Sequence, residues 1–391
     1  MLNTLFSPWP SFTQEEAEAV SSVLLSNKVN YWTGNECRQF ETEFAEWVGT
    51  KYAVALSNGT LALDVALKAL DIGAGDDVIV TSRTFLASAS CIVTAGANPI
   101  FADVDLNSQC ITAESIAAVL TPETKAIIVV HLAGMPAEMD PIMELAQKHN
   151  LYVIEDCAQA HGARYKGKSV GSIGHIAAWS FCQDKIMTTG GEGGMVTTND
   201  KTLWSAMWSY KDHGKSYDAV YNRDHKPGFR WLHESFGTNW RMLEMQGAIG
   251  RIQLRKMKDW TQRRQENGKA IDSALADLSG VRIVNVPEYI EHAEYKHYIF
   301  IKPSYLKNGW SRDRIIEEIN AAGVPCYQGS CSEIYLEKAF DNTPWRPQTP
   351  LANAVELGET SLMFLVHPTL TPEEIELTCK VARKVLCDAL I

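Results

Sequence analysis

The chain reads as an α/β protein with two parts. A large domain, residues 1–250, carries a mostly parallel, mixed sheet flanked by helices. A small C-terminal α+β domain takes residues 251–391. Three observations predict this. Short apolar, β-branched runs such as Val78–Thr81, Ala126–Val130 and Tyr152–Ile154 alternate with helix-forming segments, and that alternation implies right-handed crossovers and parallel pairing. From residue 281 onward, strands over 281–284, 297–302 and 324–327 share the chain with helices over 312–322 and 372–389. The length of 391 residues accommodates two domains with a large core.

Taken in order, Thr13-Gln-Glu-Glu16 is a capping box that opens a helix to about Leu25. Residues 26–34 form a loop ending at Gly34, and a helix over 36–48 follows. Tyr31 and Trp32 in this loop read either as surface-turn residues or as part of a site wall. Ala53–Leu56 is a strand. Ser57-Asn58-Gly59-Thr60 then opens an Ala/Leu-rich helix to about Leu70. Free N–H groups and the helix dipole make such a turn an anion site, while the same residues also serve as a plain N-cap.

Val78–Thr81 is the next strand, and Thr84-Phe85 begins a small-residue helix ending at Gly96, a C-cap glycine. Phe85 reads as core or as an aromatic that stacks on a ligand. Strands at 100–103 and 126–130 follow. His131, at the end of the second, either lines a site or makes a structural hydrogen bond.

Tyr152-Val-Ile154 is a short buried strand that ends in Glu155 and Asp156. Ligands of open α/β sheets bind outside the carboxyl ends of the strands, which is where Asp156 stands. A strand over 177–181 leads to Ser180 and Lys185. Thr188-Thr-Gly-Gly-Glu-Gly-Gly194 is too glycine-rich for a helix or a central strand. A strand over 195–198 and a helix over 201–210 come next. Residues 211–237 are polar, with His213-Gly214-Lys215 and Pro227-Gly228, and read as a long functional loop. A helical pattern then runs from Leu243 to about Leu278, with Gly268 as a break.

Lysine, carboxylate and Gly-rich turn are the parts that pyridoxal 5'-phosphate (PLP) chemistry needs. A desolvated lysine holds the aldehyde as a Schiff base and moves protons. A carboxylate keeps the pyridine nitrogen protonated, so that the ring draws electrons. Singly, Asp156 also reads as a helix cap, Lys185 as a solvated charge and the loop as a nucleotide cradle. No GxGxxG follows a first strand.

Bulk properties narrow the class. The net charge of −11 and pI of about 5.4 argue against nucleic-acid binding. The nine cysteines show no CxxC pair and no Cys/His metal spacing, so free thiols in a reducing cytoplasm, and no metal site, are expected. MLNTLFSPWPSF lacks the basic start and long apolar core of a secretion signal. No apolar run nears the roughly 20 residues that span a bilayer.

Glu155-Asp156-Cys-Ala-Gln159-Ala, Gly171-Ser-Ile-Gly174, Ser180-Phe-x-x-x-Lys185, the Thr-Thr-Gly-Gly-Glu-Gly-Gly loop and Gly237-x-Asn239-x-Arg241-Met-x-Glu244 together resemble the DegT/DnrJ/EryC1/StrS sugar aminotransferases. The resemblance runs from about residue 7 to near the C-terminus. It implies the type I (aspartate-aminotransferase) PLP fold and an enzyme that works as a homodimer with shared active sites. Lys185 and Asp156 become the catalytic pair. Gly59, Thr60, Ser180 and Asn239 hold the phosphate, with Asn239 reaching across from the other subunit. Phe85 stacks on the ring, and Gln159 hydrogen-bonds it. Without the resemblance, Asn239 is only an N-cap. Arg241 binds either a substrate phosphate or a structural carboxylate.

The resemblance also implies the substrates: L-glutamate or L-glutamine as donor, and a nucleotide-linked keto-deoxysugar as acceptor, in polysaccharide or lipopolysaccharide biosynthesis. An eight-carbon acid sugar (an octulosonate) is the alternative acceptor. A PLP dehydrase is disfavoured because the family's dehydrases replace the lysine by histidine. A non-enzymatic binding protein is disfavoured because Lys185 and Asp156 are both present. The chain departs from the pattern at Gly190-Gly191, Cys182-Gln183, Cys326–Cys331 and residues 217–236. These departures bear on substrate choice more than on the catalytic residues.

Overall fold

The computed structural model describes residues 6–391, except Lys226 and Phe229. Met1–Leu5 of the expected non-signal segment, and those two residues of the expected 211–237 loop, lie outside the described residues.

The strands in chain order are β1 Tyr52–Leu56, β2 Asp77–Thr81, β3 Asn98–Ala102, β4 Thr124–Val130, β5 Tyr152–Asp156, β6 Arg164–Tyr165, β7 Lys168–Ser169, β8 Ile176–Ser180, β9 Gly194–Thr198, β10 Val281–Ile283, β11 Ile290–Glu291, β12 His297–Ile301, β13 Cys326–Tyr327 and β14 Ser361–Phe364. Seven build the main sheet, in the order β1-β9-β8-β5-β4-β2-β3. Pairing is parallel from β8 through β5, β4 and β2 to β3. Strand β9 runs antiparallel to both its neighbours. Six strands therefore end on one edge of the sheet, and β9 starts there.

Composition explains the burial. Every residue of β2, β8 and β9 is buried, as are Val153–Asp156 of β5. Continuous apolar strands belong to a sheet covered by helices on both faces. The helices Gly59–Ala69 and Ala87–Thr94 pack against one face with Val54, Val80, Ile128 and Ile154. The helix Glu36–Val48 supplies Phe40 and Phe44 to the other, against Trp179 and Phe181.

A second sheet, β10-β12-β14-β13, is wholly antiparallel and packs on the helices Arg312–Ala321 and Pro372–Ala389. β11, β6 and β7 form a small third sheet.

Two local expectations change. The helix Glu244–Leu275 runs 32 residues through Gly268 without interruption. A Cβ at Gly268 would lie 2.9 Å from His297 Nδ1, so the glycine serves a close approach, not a break. The 211–237 segment is not structureless, since Tyr217–Tyr221 is helical with Ser216 as its N-cap. No helix among the described residues is long and apolar enough to cross a membrane.

Candidate active site

The carboxyl ends of β1, β2, β4, β5 and β8 meet at one edge of the main sheet. Asp156 is the last residue of β5 and is 5% exposed. Ser88 Oγ donates to its Oδ2 at 2.8 Å, and the Ala158 N–H donates to its Oδ1 at 3.1 Å. Burial pushes the carboxyl above the ordinary aspartate range, against the pull of Ser88, the Ala158 amide and the Lys185 charge. Among the described residues no cation forms an ion pair with it.

Its neighbour Glu155 points to the opposite side, as alternation along a strand requires. Burial would raise this carboxyl too. It is held below its ordinary value by His131 and by the amides of Gly171 and Gly174. His131 Nε2 lies 3.0 Å from Glu155 Oε2, while His131 Nδ1 accepts from the Ala137 N–H at 3.1 Å. The amides of Gly171, Ile173 and Gly174 bond the same carboxylate at 2.8, 2.9 and 2.6 Å. His131 is therefore structural, and the Gly171–Gly174 turn is clamped by Glu155.

Gly59 and Thr60 begin the helix after β1, with Asn58 as N-cap accepting from the Leu61 N–H. The Gly59 and Thr60 amides have no partner within the helix. A Cβ at Gly59 would lie 2.5 Å from Ser180 Cβ. Two free amides and the Ser180 hydroxyl thus form one small cup at a helix N-terminus. Phe85 is 70% exposed at the turn after β2 and is not core. Gln159 Oε1 accepts from the Ala133 N–H at 2.8 Å, tying the loops after β4 and β5 together.

Lys185 follows β8. Its Nζ lies 5.1 Å from the centroid of the Tyr295 ring, and its carbonyl accepts from Trp9 Nε1 at 2.8 Å. Tyr295 OH donates to Asp184 Oδ2 at 2.5 Å. Behind Lys185, Thr188 Oγ1 donates to the Phe181 carbonyl and Thr189 Oγ1 to the Glu192 carbonyl. Gly190 and Gly191 take φ of 90° and 120°, a region that only glycine enters readily.

Asn239 is not gathered into this group. It is exposed and forms a bridge with Asp212, five residues before the helix that starts at Glu244, so it is no N-cap. Arg241 Nη1 binds Asp212 Oδ1 at 2.8 Å, with Lys215 Nζ on the same oxygen at 2.9 Å, so its partner is a structural carboxylate. Tyr31 is buried under the Lys211 ammonium, 3.6 Å from its ring centroid, and is no surface-turn residue. Sequence reasoning missed Ser88, Trp9, Asp184 and Tyr295. Of these only Ser88, one helical turn from Phe85, carried a local signal.

The topology and this edge constellation define a PLP-dependent transferase of the type I fold. The chain belongs to the DegT/DnrJ/EryC1/StrS aminotransferase family, whose model matches residues 10–383, and it is a PLP-dependent sugar aminotransferase. GDP-perosamine synthase of Escherichia coli O157:H7 is 44% identical over 257 residues, 66% of this chain and 67% of that protein. The UDP-N-acetyl-3-dehydro-alpha-D-glucosamine 3-aminotransferase of Acidithiobacillus ferrooxidans is 36% identical over 359 residues, 90% of this chain and 89% of that protein. A crystal structure of an aminotransferase from Psychrobacter cryohalolentis superposes with a TM-score of 0.97 at 66% identity, covering 98% of this chain and 99% of that one.

The residues present fit the cofactor. The Gly59–Thr60–Ser180 cup has the donors and the positive helix end that a phosphate needs. Buried Asp156, with no ion pair among the described residues, offers a carboxyl group to a protonated ring nitrogen.

Proposed function

We propose that this chain transfers the amino group of L-glutamate, or L-glutamine, to the keto carbon of a nucleotide-linked deoxysugar for polysaccharide or lipopolysaccharide assembly. Support for the acceptor class comes from the names of two relatives, one a GDP-sugar and one a UDP-sugar enzyme. The observation that carries the reading is Asp156: a buried carboxyl group, hydrogen-bonded by Ser88, with no ion pair among the described residues.

PLP, when bound, supplies a carbonyl to receive the amine and a ring that draws electrons from the adjacent carbon. In our reading Asp156 keeps a proton on the ring nitrogen. Gly59, Thr60 and Ser180 hold the phosphate. Phe85 covers one ring face, and Gln159 hydrogen-bonds the ring. Lys185 would hold the cofactor at rest, and its Nζ would take a proton from the donor Cα and give it back. Asn239 completes the phosphate site of the partner chain in a homodimer. We place the enzyme in the cytoplasm and divide its domains near residue 250.

The test is a visible absorption spectrum with PLP before and after L-glutamate, on wild type and Lys185→Ala. A band that bleaches in wild type with release of 2-oxoglutarate, and a Lys185→Ala variant that folds but does not turn over, are the expected results. Turnover by Lys185→Ala at the wild-type rate would overturn the assignment.

A further inference from the structure

Beside Lys185 stands a group of cations that the transfer chemistry above leaves without a task. The Tyr295 ring is flanked by two ammonium groups. Lys185 Nζ lies 5.1 Å from its centroid and Lys296 Nζ 4.9 Å. Lys296 is half-buried and donates no hydrogen bond among the described residues. Burial is the main cause that pushes its ammonium down to about 8, with Arg264 and Lys185 adding to it.

Arg264, on the helix Glu244–Leu275, is 1% exposed. Its Nη1 reaches the carbonyls of Tyr295 and Glu294 at 3.2 and 3.4 Å, and its guanidinium lies 4.9 Å from the Trp9 ring centroid. Its Nε and Nη2 are buried without a partner, and among the described residues no carboxylate forms an ion pair with it.

Asp156, Asp184 and Glu294 act on these cations from a distance, but among the described residues none forms an ion pair with Lys296 or Arg264. Asp184 acts on Lys296 and Lys185 together, and it is held by Tyr295 OH. Glu294 is taken by His297 at 3.1 Å. His161 and His367, both pushed down to about 3 chiefly by burial, contribute no charge. Lys296 Nζ and the Nε and Nη2 of Arg264 are thus left without a direct partner among the described residues. Buried charges are stable when paired, so the missing partner is an anion that arrives with a ligand.

We infer that Lys296, backed by the field of Arg264, is the seat for a substrate carboxylate next to Lys185. Lys296 makes the contact. Arg264, enclosed by Trp9 and the Tyr295 backbone, acts only through its charge. The inference rests on Lys185 marking the reaction centre. A carboxylate can come from two sources here, the amino-acid donor or an acidic keto sugar, and a lysine at this place recognises either.

The experiment uses the PLP-loaded enzyme as wild type, Lys296→Met and Lys296→Arg. Glutarate, a dicarboxylate with no amine to transfer, is titrated by calorimetry. Loss of one charge-assisted contact predicts roughly tenfold or weaker binding to Lys296→Met, with Lys296→Arg within a few-fold of wild type. Separate half-reactions then assign the source. A KM increase for L-glutamate alone places the donor carboxylate there; an increase in the sugar half-reaction alone places the acceptor's. Glutarate binding and both KM values unchanged in Lys296→Met would overturn the inference. Lys296-dependent glutarate binding by an enzyme that L-glutamate never converts would instead overturn the proposed donor.

Discussion

Ser88 Oγ donates to Asp156 Oδ2 at 2.8 Å, from the second residue of the helix Ala87–Thr94 to the last residue of β5. This bond is one of the forces that pull the carboxyl back down against burial. In the cofactor-free protein the folded pKa of Asp156 nevertheless lies above its unfolded value. The unfolded chain therefore releases the proton first, and this group costs stability as pH rises past the ordinary aspartate value. Asp156→Asn removes that cost, since its amide can face Ser88, whose hydroxyl rotates to accept. The expected outcome at pH 7 is a higher Tm than wild type without PLP and a smaller PLP-induced rise in Tm, read by thermal scans with and without cofactor. Ser88→Ala should instead lower the cofactor-free Tm, and it should also weaken PLP by about tenfold for one lost bond to a charged group.

Gly59 and Ser180 touch too closely for any side chain on the first. An ideal Cβ at Gly59 meets Ser180 Cβ at 2.5 Å and its backbone Cα at 3.0 Å. Gly59→Ala should displace the helix start or the end of β8 and weaken PLP binding by one to two orders of magnitude, measured by equilibrium dialysis. Adding Ser180→Gly removes the Cβ obstacle but also the hydroxyl. A double-mutant cycle should therefore show coupling, with the pair less impaired than the two losses combined.

Asn239 is exposed in the isolated chain, and the proposed homodimer gives it a phosphate to bind in the partner's site. Mixing subunits tests this. Lys185→Ala and Asn239→Asp homodimers should each be nearly inactive. After mild dissociation and reassociation, mixed dimers contain one site with both native residues, and activity should return. If both residues served the same site within one chain, mixing would restore nothing.

His297 links the long helix to the second sheet. Its Nε2 lies 3.0 Å from Asp272 and its Nδ1 3.1 Å from Glu294. Burial would lower its pKa, but the two carboxylates outweigh burial and push it up to about 10. A folded value above the unfolded one, about 6.5, means that the stabilisation is complete below pH 6.5. It is lost as pH climbs towards 10. His297→Gln should lower stability by ~3 kcal/mol at pH 6 by leaving two carboxylates unpaired. The Tm gap between variant and wild type should shrink as the pH is raised from 6 to 10.

Asp156, Ser180, Lys185 and the Gly59-Thr60 turn were legible because each sits at a strand end, within a few residues of the run that sets its place. Glu155 was legible as a carboxylate but not as the clamp of Gly171–Gly174, since face alternation is settled only by the sheet. His131 and Arg241 stayed ambiguous in sequence because their partners, Glu155 and Asp212, are chosen by packing. Tyr295, Lys296 and Trp9 were out of reach: each approaches Lys185 from a distant segment, and no periodicity encodes that meeting. Gly268 misled because a helical glycine more often weakens a helix than accommodates a neighbour.

Trp9 donates to the Lys185 carbonyl across 176 residues of chain and stacks on His367 with ring centroids 5.9 Å apart. During vectorial synthesis the main sheet can close once Thr198 has left the ribosome, but the wall that Trp9 forms with His367 cannot. Long-range closures of this kind come late in assembly. A nascent chain would therefore present a finished sheet with an open reactive lysine until its last strands and helix arrive, and the competent site is a property of the whole polypeptide rather than of the lobe that carries most of its residues.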